Sequence, residues 1–163
     1  ARLHPNDRKR IVRALEVFQQ TGKTISQHNR ETRALPLRYD ALTLSLAFQR
    51  REDMWARIDR RVDEMMAAGL AEEVRALLDS GVPVRCTAMQ AIGYKEMAAA
   101  LRGGGDVCAA AEEIKLRSRQ YAKRQLTWFR RTEGAKWLFW GPEPDFEAAC
   151  RTSTKYLEEF GLV

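Results

Sequence analysis

A segment near the C-terminal end of the sequence combines cationic and aromatic residues in a regular pattern. The residues IKLRSRQYAKRQLTWFRR, at positions 114–131, include seven basic residues and no acidic one. On a helix, intervals of four and three residues place three arginines and two aromatic residues of this segment on one face. We call this face the cation–aromatic stripe; it consists of Arg117, Tyr121, Arg124, Trp128 and Arg131. Guanidinium groups attract phosphates and aromatic rings stack on unpaired bases, which is the composition of single-stranded RNA contacts. The alternative is a solvated basic helix whose rings cover the core, but the long run without an acid favours RNA binding.

A neighbouring arc of the same helix is suited to pack against the rest of the protein. Its residues again follow helical spacing: Ile114, Ser118, Ala122, Leu126 and Phe129. The helix is therefore predicted to have a packed side and an outward side.

Two arginines one turn apart, Arg57 and Arg61, could together hold a diphosphate. The same predicted helix carries four acids: Asp53, Asp59, Asp63 and Glu64. From the residues alone, ordinary surface ion pairs are therefore the favoured interpretation.

A further basic cluster comprises Arg8, Lys9, Arg10 and Arg13. It either binds phosphate or forms a solvated helix face.

The order Gly22, Lys23, Thr24 matches the end of a phosphate-binding loop, G-x-x-x-x-G-K-[ST]. Val17 stands where that loop requires its first glycine, and the preceding residues have helical periodicity. We therefore predict that Gly22 ends one helix and that Thr24 caps the next.

Charge and cysteine content restrict the class of protein. The formal net charge of +6 favours a polyanionic partner. Three widely spaced cysteines and two histidines form neither a disulfide framework nor a zinc site, so a reducing cytoplasmic location and no structural metal are expected. No apolar run is long enough to cross a membrane. The sequence begins without Met or a signal peptide, so we expect it to be part of a longer protein.

The elements that must position these residues are mostly helices. Beyond the two helices around Gly22, helical periodicity predicts four segments that begin at Arg51, Leu70, Ala88 and Asp106, and a last helix over residues 145–160. Alternating leucines around residues 42–47 predict one strand, and the segment AKWLFW at 135–140 predicts a second, buried one. Gly93, inside the predicted helix over residues 88–101, costs about 1 kcal/mol relative to Ala, so it either admits close approach of another backbone or marks a kink. The fold class predicted is mostly α with one or two strands.

Four stretches, in this order, resemble the tRNA dimethylallyltransferases, also called tRNA isopentenyltransferases. They are LHPNDRKRIVRALEVFQQTGKTIS, RIDRRVDEMMAAGLAEEVRALL, AMQAIGYKEM and YAKRQLTWFRR. Members transfer a dimethylallyl group from its diphosphate to N6 of the adenosine 3′ of the tRNA anticodon. Their fold resembles a P-loop NTPase core with a helical insertion. The resemblance implies that residues 1–37 end the insertion and that residues 38–163 are the C-terminal part of the core, with tRNA-binding helices.

The resemblance also implies site residues. Its tRNA-contacting segments correspond to Lys9, Arg10, Ile11, Val12 and Arg13, to Gln90, Ala91, Ile92, Gly93, Tyr94 and Lys95, and to Lys123, Arg124, Gln125, Leu126, Thr127, Trp128, Phe129 and Arg130. Many bacterial members have arginine at Gln90 and Lys95, so a bidentate contact is not expected there. Arg57 and Arg61 match the family's R-I-x-x-R helix, which implies that Arg61, with Arg57 second, contacts the diphosphate.

The family's P-loop, its proton-accepting aspartate and its Mg²⁺-holding residues have no counterpart in this sequence. The resemblance therefore implies a C-terminal half that is inactive alone, with Mg²⁺ bound mainly through the other half. The complete protein is expected to be a cytoplasmic monomer that acts on the tRNA anticodon stem-loop and dimethylallyl diphosphate. Two alternatives remain open: a non-enzymatic RNA-binding helical module, and part of another P-loop NTPase or kinase.

Overall fold

A computed structural model describes residues 4–36 and 38–162. Their elements, in chain order, are α1 (Arg8–Thr21), α2 (Ile25–Ala34), β1 (Leu44–Phe48), α3 (Arg51–Ala67), α4 (Leu70–Asp79), a 3₁₀ turn (Ala88–Gln90), α5 (Tyr94–Gly103), α6 (Val107–Phe129), β2 (Lys136–Trp140) and α7 (Phe146–Phe160). The prediction of a mostly helical chain with one or two strands is confirmed, and the described residues contain two. No helix among these residues is both long and apolar enough to cross a lipid bilayer.

The chain divides into two compact units, Ala1–Ala41 and Leu42–Val163. The limit predicted from the sequence, at residue 37, falls outside the described residues. The assignment of the first unit to a helical insertion, and of the second to a P-loop core, stays a prediction.

In the first unit, the short sequence GKT is a helix-to-helix turn. Gly22 adopts φ 67°, in the left-handed region, and ends α1. Thr24 begins α2 with a capping box, in which its hydroxyl accepts from the Gln27 N–H at 3.2 Å and the Gln27 side chain accepts from the Thr24 N–H at 2.8 Å. The Lys23 ammonium pairs with Glu31 at 2.9 Å. The predicted caps at Gly22 and Thr24 are confirmed, and Lys23 forms an ion pair with a carboxylate of the neighbouring helix.

The core of the second unit is built by α3, α4, α5 and α6. Its most deeply buried side chains are Val74, Met89, Met97 and Ile114, each at most 2% exposed. Val62 of α3 is also buried, and the methionines Met65 and Met66 pack against this cluster. The prediction that the methionines of α3 belong to the core is confirmed for this pair.

The two strands pair in parallel, with Leu44 opposite Lys136 and Phe48 opposite Trp140. The alternating leucines correctly predict the position of β1, but they do not indicate which of its faces is buried. Ser45 is buried, whereas Leu46 is 54% exposed. The prediction that the second strand is buried is wrong for Phe139, which is 59% exposed. Successive side chains of a strand point to opposite faces of the sheet, so Leu138 is only 8% exposed although its neighbour Phe139 is largely uncovered.

The helix predicted over residues 88–101 is interrupted. A 3₁₀ turn ends at Gln90, and α5 begins only at Tyr94. Between them Gly93 adopts φ 105° and ψ −63°, a conformation that residues with a side chain rarely adopt. A Cβ on Gly93 would meet only the Met65 methyl carbon, at an ordinary 3.8 Å. The glycine therefore serves the backbone turn. Of the two alternatives from the sequence, a break in the helix fits the structure and the close approach of another backbone does not.

Candidate functional site

A cleft of about 540 Å³ lies between α3, α6 and the segment before α5. Three arginines of α3 line it, namely Arg57, Arg60 and Arg61. They share one helix face because their positions are i, i+3 and i+4. Apolar side chains line it as well, including Ile92 and the buried Ile114. This arginine cleft therefore combines concentrated positive charge with an apolar lining.

The guanidinium groups of the arginine cleft form only weak ion pairs with other side chains of the protein. Arg61 lies 3.6 Å from Glu64, and Arg60 lies 3.4 Å from Glu143, in exposed pairs. Arg57 forms no ion pair with the described residues. Exposed pairs contribute about 0–1 kcal/mol, and guanidinium groups can bind an oxyanion through two parallel hydrogen bonds. A multiply charged anion could therefore replace the carboxylates.

Two other acids of α3 face α6. Asp59 accepts two hydrogen bonds from Arg119 Nη1, at 2.9 and 2.7 Å. One turn further along, Asp63 pairs with Lys115 at 2.7 Å. The hydrogen bonds that the Lys115 ammonium donates, first to Asp63 and then to Glu112, hold the pKa of Lys115 above its usual range. Asp59 and Asp63 thus form ion pairs between α3 and α6 rather than with the arginines of their own helix.

The cation–aromatic stripe occupies the exposed side of α6. Tyr121 is 49% exposed and Trp128 is 66% exposed. The Arg124 guanidinium lies 5.7 Å from the Tyr121 ring centroid. Arg117 is neutralised by Glu113, an acid one turn earlier, at 2.6 Å. The free cations of the stripe are therefore concentrated in its second half.

This second half borders an open groove of about 470 Å³, the stripe groove. Its lining consists of Gln120, Lys123, Arg124, Thr127, Trp128 and Arg131. Two further cations thus accompany Arg124 around an exposed indole ring. Positive charge beside a free aromatic face suits a nucleic acid strand with unpaired bases.

The arc predicted to seat α6 follows the packing expectation over its first four residues. Ile114 is 1% exposed, and Ser118, Ala122 and Leu126 are half-buried. Phe129 is 38% exposed, and its ring meets the Trp128 ring in a T-shaped arrangement with centroids 5.3 Å apart. At the C-terminal end of α6, Phe129 is thus more exposed than the rest of the arc.

The segment over residues 90–95 contributes to the arginine cleft mainly through Ile92. The Gln90 amide donates to the Val84 carbonyl at 2.7 Å. The Tyr94 hydroxyl donates to the Glu73 carboxylate, and this bond raises the pKa of Tyr94. These two polar groups support the local fold.

Lys95, in the same segment, is exposed and lies with Arg117 along a third groove, between α5 and α6. This groove has a volume of about 630 Å³. Ala91 is also exposed and Gly93 is buried. Of this segment, Lys95 is therefore the cation available to a ligand.

The candidate residues 9–13 lie on α1, in the first unit. Arg10 pairs with Asp7 at 3.2 Å and Arg13 pairs with Glu16 at 3.3 Å. Lys9 and Val12 are exposed, and Ile11 is half-buried.

The remaining candidates of α6 are Gln125, which is exposed, and Arg130, which follows the helix end.

Sequence reasoning missed Arg60 and Ser118 as residues of the arginine cleft. Arg60 follows Arg57 by three positions, so helical spacing could have found it. The sequence pattern places Ser118 in the packing arc, and no local signal distinguishes a packed hydroxyl from one that lines a cleft.

No set of three or more histidine, cysteine or acidic side chains is arranged for a metal ion within residues 4–36 and 38–162.

Comparisons with known proteins agree on one family. The family described as IPP transferase matches residues 1–132. The chain is 51% identical to tRNA dimethylallyltransferase 1 of Trichlorobacter lovleyi, covering 84% of this chain and 45% of that protein. It is 49% identical to tRNA dimethylallyltransferase of Geobacter sulfurreducens, covering 85% of this chain and 44% of that protein. The chain thus spans about half the length of these curated relatives.

A solved structure is similar over almost the whole chain. It is that of the full-length tRNA isopentenylpyrophosphate transferase from Bacillus halodurans, with a TM-score of 0.70 and 34% sequence identity. The match covers 97% of this chain and 46% of that one. Fold and sequence therefore lead to the same family.

Proposed function

Since the chain belongs to the IPP transferase family, we propose that it supplies the C-terminal part of a tRNA dimethylallyltransferase. The complete enzyme transfers a dimethylallyl group from its diphosphate to N6 of the adenosine 3′ of the anticodon. The observation that carries this proposal is the position of the arginine cleft and the stripe groove on one helix, α6. One is suited to an oxyanion with an apolar tail, and the other to RNA.

The fold proposal places residues 38–163 in a P-loop-like core and residues 1–37 at the end of a helical insertion. The parallel pairing of β1 and β2 supports the first part, because parallel sheets occur mainly in α/β folds with helical crossovers. The separation of a small helical unit supports the second.

In the proposed reaction, the bond between N6 and C1 of the dimethylallyl group forms while the bond from C1 to the diphosphate oxygen breaks. The diphosphate leaves with the electron pair, and the N6 proton passes to a base outside this chain. Arg61 and Arg57 bind the diphosphate and stabilise its growing charge. Mg²⁺ belongs mainly to residues outside this chain, because Glu64 is the one acid among the described residues of the arginine cleft and it pairs with Arg61.

The adenine must leave the base stack before its N6 can reach the prenyl carbon. The stripe groove offers an indole face and three cations to the neighbouring nucleotides and phosphates of the anticodon stem-loop. Segments 9–13 and 90–95 are proposed as further tRNA contacts, with Lys9 and Lys95 as their exposed lysines.

The test uses a chimera in which this chain replaces the matching C-terminal part of the Geobacter sulfurreducens relative. We expect prenyl transfer from dimethylallyl diphosphate to an anticodon stem-loop. Arg61→Ala should lower kcat/KM by about 10²–10³, the usual effect of removing one donor to developing charge. The matched control is Arg151→Ala on α7, since Arg151 is also exposed and also paired within its own helix. We expect it to retain the parent rate.

The outcomes separate the alternatives. A folded chimera that binds the stem-loop without transfer, while the parent relative is active, would support an RNA-binding module and contradict the proposal. Hydrolysis of nucleoside triphosphates in place of prenyl transfer would support another P-loop enzyme. Activity of Arg61→Ala within a few-fold of the parent would remove Arg61 from the mechanism.

A further inference from the structure

The side of the arginine cleft that α6 supplies has a single polar side chain among its described residues, Ser118. We propose that the Ser118 hydroxyl is a substrate-binding group that donates a hydrogen bond to the diphosphate held by Arg57 and Arg61. The inference rests on the proposed function and adds a binding residue to it. No feature of the sequence marked this serine as different from the packing residues around it.

Helix geometry places Ser118 opposite the arginines. Asp59–Arg119 and Asp63–Lys115 form two contacts between α3 and α6, one turn apart on each helix. Ser118 directly precedes Arg119, as Ile114 precedes Lys115, so serine and isoleucine share the adjacent face of α6 and line the cleft together. The two ion pairs fix the rotation of α6 and thereby keep this face towards α3.

The Ser118 hydroxyl has no hydrogen-bond partner among the described residues, although it lies within a helix and is half-buried. Thr127 of the same helix shows the usual arrangement, because its hydroxyl donates to the Lys123 carbonyl one turn earlier at 2.9 Å. The Ser118 hydroxyl, on a half-buried residue of the cleft lining and without a partner among the described residues, is therefore available to a ligand in the cleft.

A hydroxyl also suits the position chemically. It lies one turn from Ile114, which is only 1% exposed, where a further charged group would be costly to bury. A neutral donor can bind a nonbridging diphosphate oxygen without that cost, while the exposed arginines supply the charge. Diphosphate, with several acceptor oxygens, can accept from both sides of the cleft at once.

The test compares Ser118→Ala, Ser118→Thr and the parent in the same chimera. Ser118→Ala should raise KM for dimethylallyl diphosphate roughly tenfold or more, the usual effect of losing a hydrogen bond to a charged group. KM for the stem-loop and the urea unfolding midpoint should not change. Ser118→Thr keeps the hydroxyl and should remain close to the parent. Ser153→Ala on α7, another half-buried helical serine, is the matched control and should match the parent throughout.

Binding of inorganic pyrophosphate, measured by calorimetry, provides a readout that does not require catalysis. We expect Ser118→Ala to weaken it by the same factor as it raises KM. Unchanged pyrophosphate affinity in Ser118→Ala would overturn the inference, and so would an equal loss of affinity for pyrophosphate and stem-loop. A parent chimera that binds pyrophosphate but transfers no prenyl group would instead contradict the proposed function. The pyrophosphate affinities of the parent and Ser118→Ala would still decide whether Ser118 binds the diphosphate.

Discussion

The exposed indole of Trp128 leads to a quantitative expectation for RNA binding. Stacking of one base on an aromatic side chain is worth about 1–3 kcal/mol by alanine substitution, which corresponds to roughly 5- to 160-fold in Kd. Trp128 is 66% exposed, and its one aromatic contact among the described residues is a T-shaped pair with Phe129. Such a ring pair contributes about 0.5–1.5 kcal/mol. Trp128→Ala should therefore cost about twice as much free energy of RNA binding as of folding.

Salt dependence separates stacking from charge. Arg124→Gln removes one cation from the stripe groove, and it should lower the slope of log K against log salt by about 0.7, as for one phosphate contact on a single strand. Trp128→Ala carries no charge change, so it should shift the line without changing the slope. The two variants thus test the two components of the stripe independently.

The assay is fluorescence anisotropy of a labelled anticodon stem-loop, titrated with the chimera at several salt concentrations. Phe146→Ala is a close control, because Phe146 is 69% exposed and pairs edge-on with Trp140 at 5.4 Å, compared with 5.3 Å for Trp128 and Phe129. We expect the control to bind like the parent. Equal affinities for Trp128→Ala and Phe146→Ala would refute the stacking argument. A reduced slope for Trp128→Ala would show that loss of the ring also removes a phosphate contact, and it would contradict the separation of stacking from charge.

Two further substitutions test the cleft and the turn beside it. Glu64→Gln frees Arg61 from an exposed pair worth about 0.2–1 kcal/mol, so KM for dimethylallyl diphosphate should fall by up to about fivefold; a rise in KM would contradict the competition between carboxylate and diphosphate. The bond to Glu73 raises the pKa of Tyr94 above its ordinary 10.0, so the stability that it adds is complete below that value and is lost as pH rises through the raised pKa. Tyr94→Phe should cost about 1 kcal/mol at neutral pH and should abolish this alkaline loss in urea midpoints; an unchanged alkaline profile would refute the assignment.

Helix ends were predictable because their signals are local. The cap at Thr24 depends on Gln27, three residues later, and Asp106 begins α6 by accepting from the nearby Cys108 N–H at 2.8 Å. Donor and acceptor are then part of the same short stretch of sequence. The same holds for the stripe, whose exposed face follows directly from helical spacing.

The arrangement of the cleft was not predictable because it depends on distant residues. Asp59 and Arg119 are 60 positions apart, and no local pattern indicates that they meet. Gly93 resembled a residue in a helix because its neighbours on both sides have helical periodicity, whereas the backbone turns sharply there. In β1, alternating leucines indicated the strand, but which face is covered depends on the elements that pack against it.

The parallel pairing of β1 and β2 also sets a folding order. Residues 44 and 136 must meet although α3, α4, α5 and α6 lie between them. Closing so long a segment costs chain entropy before any strand hydrogen bond compensates for it. The helices form through local contacts and pack on one core, which shortens the effective distance between the strands. We therefore expect amides of α3 and α6 to gain protection from hydrogen exchange before those of β1 and β2 during refolding, with the sheet as the last part to form.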